Sequence, residues 1–502
     1  MEFKTKMQTI QTVSALLDAT DERPIDADVV LPDYCPDVAA ILTCELVPSV
    51  TACGQNGDKL TADGTALLRV LYLDEERKTV YTYEMSQAFA ASFSCDGRVG
   101  EMAADVTAEA DYVHCRAVSP RRLDIHGAVR VHAAAVSTGE QTALAGVEDG
   151  GVFLKTAPVT SGVPAGWAQK PFSVNEALGN ADGAERVVRS CAVPTVTETK
   201  VLAGKVIVKG DLVITALLLC DGDSGKTAER RFSLPFSQMV DLAGTDENTT
   251  VDARVRVTAH HLRLEEENGE TVLVSTTKLL LSAQAWKEET ATVVTDVYAA
   301  AMPVSVETGV IEGRRLLAVS CEPLAVTETF PLLPDTASVL SAWCEATPLS
   351  TENGDGTRTL HGRLTVHLLT ENGEGQVQYT DRTAEFSETL PAVGSGEETA
   401  FAVTSCETFS ETEGQLTVKV SLCACRRQYE QTAVTAVTGC SGDESAAYPA
   451  EAAAVKIVYA DAGENLWDVA KAAHTSVEAL KIENELETDV LDKRTMLLVP
   501  LV

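Results

Sequence analysis

Three groups of residues in this chain have the types and spacing to do chemistry. Cys423 and Cys425 form a Cys-x-Cys, with Cys440 further on. Such thiolates could hold zinc. Yet no Cys-x-x-Cys pair and no histidine at zinc-finger spacing accompanies them. On an alternating strand, Val420 to Gln428, both side chains would point to one face, where a free cysteine behaves as a small buried hydrophobe. His260 and His261 are adjacent, so a strand would turn them to opposite faces and they could not chelate together. The stretch Leu31-Pro32-Asp33-Tyr34-Cys35-Pro36-Asp37 gathers two carboxylates and a thiol between prolines. It reads as a rigid turn in which proline fixes φ and aspartate caps local backbone donors. Catalytic signatures are missing: no Gly-x-Ser-x-Gly, no Walker loop, no Rossmann glycine fingerprint and no His-Glu-x-x-His. Paired carboxylates are everywhere in a chain with 74 acidic residues, so no pairing by eye carries weight. The expectation is a non-enzyme with no cofactor and no metal.

The elements that hold these residues are strands. At 502 residues the chain exceeds one hydrophobic core and should form three to five domains, at roughly 100–200 residues each. Aromatics are only 5%, so cores must be built from Val, Leu, Ala and Ile, with β-branched residues favouring strands. Three stretches share one layout. Cys44, Cys191 and Cys344 each precede a proline: Pro48, Pro194 and Pro348. Each is followed by an alternating run around a glycine: Lys59 to Leu73 around Gly64, Lys205 to Leu219 around Gly210, and Arg358 to Thr370 around Gly362. Cysteine-to-glycine separations by residue number are 20, 19 and 18. This is an internal repeat, predicting equivalent sites for the three glycines and for the three cysteines. Period-two patterning and turn signals (Cys220–Lys226, Glu267–Glu270, Glu371–Gly375) predict antiparallel sandwich or barrel-like domains. Gly439 to Ala454, small and polar with one proline, reads as a linker, after which the module folds alone on a tether. Beyond it come a short strand, helices over Asn465–Ala473 and Ser476–Asn484, and a last strand. Asn465 stands where an N-cap belongs, and Thr475 can cap the second helix.

Net charge is −34, which repels phosphate backbones and anionic membranes, so nucleic acid is not an expected partner. The N-terminal stretch has no apolar signal core, and no run reaches a transmembrane length. Thirteen cysteines without a framework, and no export signal, predict reduced thiols in a cytosolic compartment.

The segment Gly463-Glu464-Asn465-Leu466-Trp467, with Asn484 ending the second helix and Pro500 closing the last strand, resembles a LysM module. In that family two loops flank a groove for N-acetylglucosamine-containing glycans. The resemblance places Gly463, Glu464, Asn465 and Leu466 on one side, with Asn484, Glu485 and Leu486 across. Glu464 and Asn465 depart from the family's usual Asp-Thr. The Leu31–Asp37 stretch, followed by Ala40, Ile41, Leu42 and the strands ending at Leu73, resembles the SPOCS (spore coat) domain family, whose members carry tandem copies and a C-terminal LysM. Together these imply a mainly β chain of tandem antiparallel sandwich or barrel-like repeats followed by a small βααβ module. The expected divisions are an N-terminal segment (1–30), repeats at 31–145, 146–300 and 301–436, a linker (437–455) and LysM (456–502). The resemblance implies a scaffold of the bacterial spore coat, acting in the mother cell at the forespore surface. Its partners would be coat morphogenetic proteins, the ATPase of the basement layer among them. The alternative is a LysM-anchored protein that binds or hydrolyses peptidoglycan.

Overall fold

The computed structural model describes residues 2–95, 102–181, 183–221, 226–267, 270–409, 414–449 and 455–500. The turn centres 222–225 and 268–269, residues 450–454 of the stretch read as a linker, and residues 501–502 lie outside them. The chain is mainly β. Its first unit runs β1 (Thr5–Val30), β2 (Ala40–Asn56), β3 (Lys59–Leu73), β4 (Val80–Ser94), β5 (Met102–Ser119) and β6 (Arg122–Val147). The second runs β7 (Val152–Asn180), β8 (Arg186–Leu202), β9 (Lys205–Asp221), β10 (Lys226–Asp241), β11 (Thr250–Glu267) and β12 (Glu270–Ala299). The third runs β13 (Val304–Pro331), β14 (Thr336–Asn353), β15 (Thr357–Asn372), β16 (Val377–Pro391), β17 (Gly396–Phe409) and β18 (Gln415–Gly442). Each unit makes two antiparallel three-stranded sheets. Its first, sixth and fifth strands form one and its second, third and fourth the other. The stretch set apart as an N-terminal segment is thus β1, paired along its length with β6.

The glycines anticipated as equivalent are so. Gly64, Gly210 and Gly362 are each the sixth residue of a middle strand, β3, β9 and β15. Each stands opposite a phenylalanine: Phe89, Phe236 and Phe386. The ring lies over the glycine, filling the place of a side chain on the inner face, so a Cβ there would overlap ring carbons. The cysteines do not coincide. Cys44, Cys191 and Cys344 lie on equivalent strands but face Val70, Thr215 and Val366. By residue number those partners lie six, five and four positions past the glycines. A one-residue offset reverses the face of a strand. Cys44 and Cys344 accordingly pack on the cores of their sandwiches, while Cys191 does not.

Alternation also fails where the sequence becomes continuously apolar, and the reason is tertiary. In β3 the even positions Leu60 to Tyr72 face the sandwich interior. From Arg69 onward the odd positions are buried as well. Leu71, Leu217 and Leu369, each seven residues past its glycine, meet in one cluster shared by all three units. The contacts close a ring: β4 packs on β8, β10 on β14 and β16 on β2.

A second meeting point lies where the long antiparallel pairs β1–β6, β7–β12 and β13–β18 run beyond their sandwiches. Ile10 and Ala143, Val159 and Val293, Ile311 and Ala436 form one buried cluster, two residues per unit. Leu144, Val294 and Val437 form the next layer. Consecutive residues on one strand can both face inward here because a bulge follows each pair. Ala145, Thr295 and Thr438 are skipped in the ladders.

After β18 come β19 (Val455–Ala460), helices α1 (Leu466–Ala472) and α2 (Val477–Asn484), and β20 (Thr495–Pro500), with β19 and β20 antiparallel. No helix among the described residues is long and apolar enough to cross a membrane. The thiols are mostly free, as expected, with one pair excepted. Cys321 and Cys425 stand opposite each other on β13 and β18 and are joined as a disulfide; the other eleven cysteines are free. Cys425 was expected to be a small buried hydrophobe, but a cross-strand neighbour of its own kind makes it half of a bond.

Replacing Gly64 by alanine should push its methyl into the Phe89 ring and cost about 1–3 kcal/mol, as overpacking does. Gly54→Ala, with nothing within 4 Å of its Cβ, should change little. Urea unfolding of the two variants against the parent checks this.

Candidate binding site

The C-terminal module folds around Ala460, Leu466, Ala470, Leu480, Leu497 and Val499, all fully buried. Asn465 caps α1, its side chain accepting from the Trp467 N–H at 2.9 Å. Ser476, not Thr475, caps α2, accepting from the Ala479 N–H at 3.0 Å. Thr475 is fully buried and donates to the Pro500 carbonyl at 2.7 Å instead.

Of the residues assigned to the groove, Gly463 adopts a left-handed φ of 89° and is exposed. Its N–H donates to the Leu491 carbonyl at 2.7 Å, the Leu491 N–H to Glu464 at 3.0 Å and the Leu466 N–H to Asp489 at 2.8 Å. The first loop is therefore laced to residues 489–491. Glu464 is exposed and its carboxylate accepts from the Asp461 N–H at 3.1 Å. Leu466 is core. Asn484 clamps β20: it donates to the Leu498 carbonyl and accepts from the Leu498 N–H, both at 2.7 Å. Glu485 ends α2 in the left-handed region, φ 52°, with its side chain in solvent. Leu466 and half-buried Leu486 share one apolar cluster, which is what connects the two loops.

The module is not a free body on a tether. It sits on the end of the β7–β12 pair, where β7 begins and β12 ends. Trp467 donates its indole N–H to Asp296 at 2.8 Å, and Lys471 pairs with the same carboxylate at 2.7 Å. The Tyr298 ring meets Trp467 edge-on at 4.9 Å and packs on Phe153 at 5.1 Å, and its hydroxyl donates to the Thr475 carbonyl at 2.7 Å. Tyr448, in the stretch read as a linker, stacks on His474 at 3.7 Å and is held by the Ala301 carbonyl. Burial would raise the Asp296 carboxyl, but hydrogen bonds from Lys471 and Trp467 outweigh it and hold the group below the usual aspartate range. Sequence reasoning missed Phe153, Asp296, Tyr298 and Tyr448. Phe153, Asp296 and Tyr298 lie in strands far along the chain from the module, Tyr448 lies in the approach to it, and no local pattern marks any of them.

The seat exists only on the second unit. At the positions of Phe153, Asp296 and Tyr298, the first unit has Lys4, Gly146 and Glu148 and the third has Ser305, Gly439 and Ser441. Among many exposed charged residues, the module also turns apolar side chains outward. Ile457, Tyr459 and Met496 are half or more exposed on the outer face of the β19–β20 pair, and Ile482 is exposed on α2.

Residues 184–265, from the approach to β8 nearly to the end of β11, match the SipL family model, described as the SPOCS domain. Those residues form a SPOCS domain similar to that of the SipL family. The match ties the chain to sporulation and the spore coat. It falls in the second unit, although the motif that carried the resemblance, Leu31 to Asp37, lies in the first. There Arg121 pins the turn, donating to the carbonyls of Pro32 at 2.7 Å and Cys35 at 3.1 Å and pairing with Asp37 at 2.8 Å. No curated protein and no solved structure matches the chain.

Asp296→Ala should unseat the module, at a cost of about 1 kcal/mol. Because the folded carboxyl is held low, its contribution is complete above the unfolded pKa and is lost as pH falls through the folded one, below about pH 4. Hydrogen exchange across 466–475 should rise in the variant at neutral pH, and in the parent only under acid.

Proposed function

We propose that this chain is a non-catalytic scaffold of the bacterial spore coat. Its three β-units form a single rigid body, and its C-terminal LysM-like module presents a docking face to coat morphogenetic proteins. The basement-layer ATPase is the partner that the family resemblance suggests, at the forespore surface of the mother cell. One observation carries the docking reading: the module is seated by Asp296, Tyr298 and Phe153 with Ile457, Tyr459 and Met496 turned outward. A seated module aims its exposed face, and a preorganised face loses less entropy on binding. Apolar anchors of this kind suit a protein surface.

The groove supports protein over glycan. Asn465 is engaged in capping α1, Asn484 in clamping β20 and Glu464 on the Asp461 N–H, so these side chains are already committed to internal hydrogen bonds. Sugar recognition needs such groups free to orient hydroxyls.

Deleting residues 456–502 should leave the β-body folded and abolish forespore localisation of a fluorescent fusion. Ile457→Asp with Tyr459→Asp should do the same with an unchanged circular dichroism spectrum, since both side chains are exposed. Leu466 cannot serve, being core. Micromolar binding of chitin oligomers without binding of coat proteins, or clearing of purified cell wall, would establish the peptidoglycan reading instead.

A further inference from the structure

Two pairs of free thiols face each other across the sandwiches. Cys44 lies on β2 and Cys115 on β5, strands that pack directly together at the edge of the first unit. Both thiols pack on the same core, near enough for each to shift the titration of the other. The third unit repeats the arrangement. Cys344 on β14 and Cys406 on β17 lie on the corresponding packed strands, pack on the same core and line one small cavity of about 60 Å³. The second unit has Cys191 on β8 but no cysteine anywhere on β11. Two units in three therefore place a thiol on each of the two strands that join their sheets.

We infer that Cys44 with Cys115, and Cys344 with Cys406, are dithiol sites that a low-molecular-weight disulfide closes into two bonds, each stapling the sheets of its own unit. Oxidised glutathione represents the oxidant class. One protein thiolate attacks a glutathione sulfur, forming a mixed disulfide and releasing one glutathione thiolate. The facing thiol then loses its proton and displaces the second glutathione from that mixed disulfide. The net change is two protein thiols to one protein disulfide, and one glutathione disulfide to two glutathione thiols, which take up the two protons.

In the first unit Cys115 is the attacking thiol, because the neighbouring Cys44 holds it below the ordinary cysteine range. In the third unit burial pushes both thiols up, Cys406 to about 12, so closure there is slower. The bonds span 71 and 62 residues by residue number (115 less 44, 406 less 344). Closing loops of that size restricts the unfolded chain, so the melting temperature should rise by roughly 5 °C.

The test uses the full chain incubated natively with oxidised glutathione, alkylated and mapped by peptide mass spectrometry. Linked peptides 44–115 and then 344–406 are expected, each accompanied by loss of two hydrogens from the intact mass. Cys191 should alkylate throughout. Cys115→Ser should prevent the first bond, leave the second intact and remove its share of the thermal gain. Cys220→Ser, outside both pairs, should alter nothing. Stable glutathione adducts, cross-links to other cysteines, or full alkylation of all four thiols after oxidation would each overturn the inference.

Discussion

Everything in this fold depends on the long strand pairs having to bury their apolar ends in one another. Ile10, Val159 and Ile311, with Ala143, Val293 and Ala436, come two from each unit and are buried together in one cluster. A six-stranded unit could cover its sandwich core alone, but not the projecting stretch of β1–β6, β7–β12 or β13–β18. Each fully buried aliphatic side chain there contributes roughly 1.5–3 kcal/mol, which only the three-way junction provides. The bulges at Ala145, Thr295 and Thr438 follow from it, since a regular strand cannot aim two consecutive side chains at one core. So does the ring of contacts from β4 round to β2. A rotation that closes after three units leaves no open end on which to add a fourth.

The charges follow the same geometry. Arginines gather at the joints between units. Arg189 of β8 pairs with Glu45 of β2 at 2.9 Å and lies over the Trp343 ring of β14 at 4.4 Å, touching all three units. Beside the second junction Asp105 of the first unit meets Arg254 and Arg256 of the second, and Asp252 of the second meets Arg427 of the third. Burial opposes ionisation of Asp105, yet the two guanidiniums hold it far below the carboxylate range. Asp105, Arg254 and Arg427 of this network line a cavity of about 370 Å³, where opposite charges answer one another. With so many cations engaged inside, the outer surface keeps the acidity of the chain. The edge strands are guarded too. Pro24, Pro171 and Pro323 interrupt the outer hydrogen-bonding edges of β1, β7 and β13, which would otherwise offer templates for another chain.

Near-symmetry makes the departures informative. Three strand-pair ends are available, and only one carries an aromatic pair and a carboxylate. That asymmetry decides where the C-terminal module sits, and so which of its faces stays open. The module's own polar residues serve its fold: Asn465 and Asn484 act on backbone groups inside it.

The local content of the fold was legible in the sequence. Period-two runs around Gly64, Gly210 and Gly362 identified strands and their repetition, because a half-buried strand must alternate and each glycine must accommodate a ring. Helical spacing in 466–484 identified α1 and α2, and Asn465 their start. The glycine turn after Asn372, whose side chain accepts from the N–H groups of Glu374 and Gln376, was equally plain. What the tertiary structure alone decided is every relation between distant segments. Residues 5–30 became a strand only because β6 lies beside them. Cys425 became half of a disulfide because Cys321 stands across from it. The continuous apolar ends of β3 and β9 acquired meaning only when a second unit covered their outer faces. The seat of the module was invisible for the same reason: Asp296 and Trp467 are 171 residues apart, and periodicity carries no information about which face meets which.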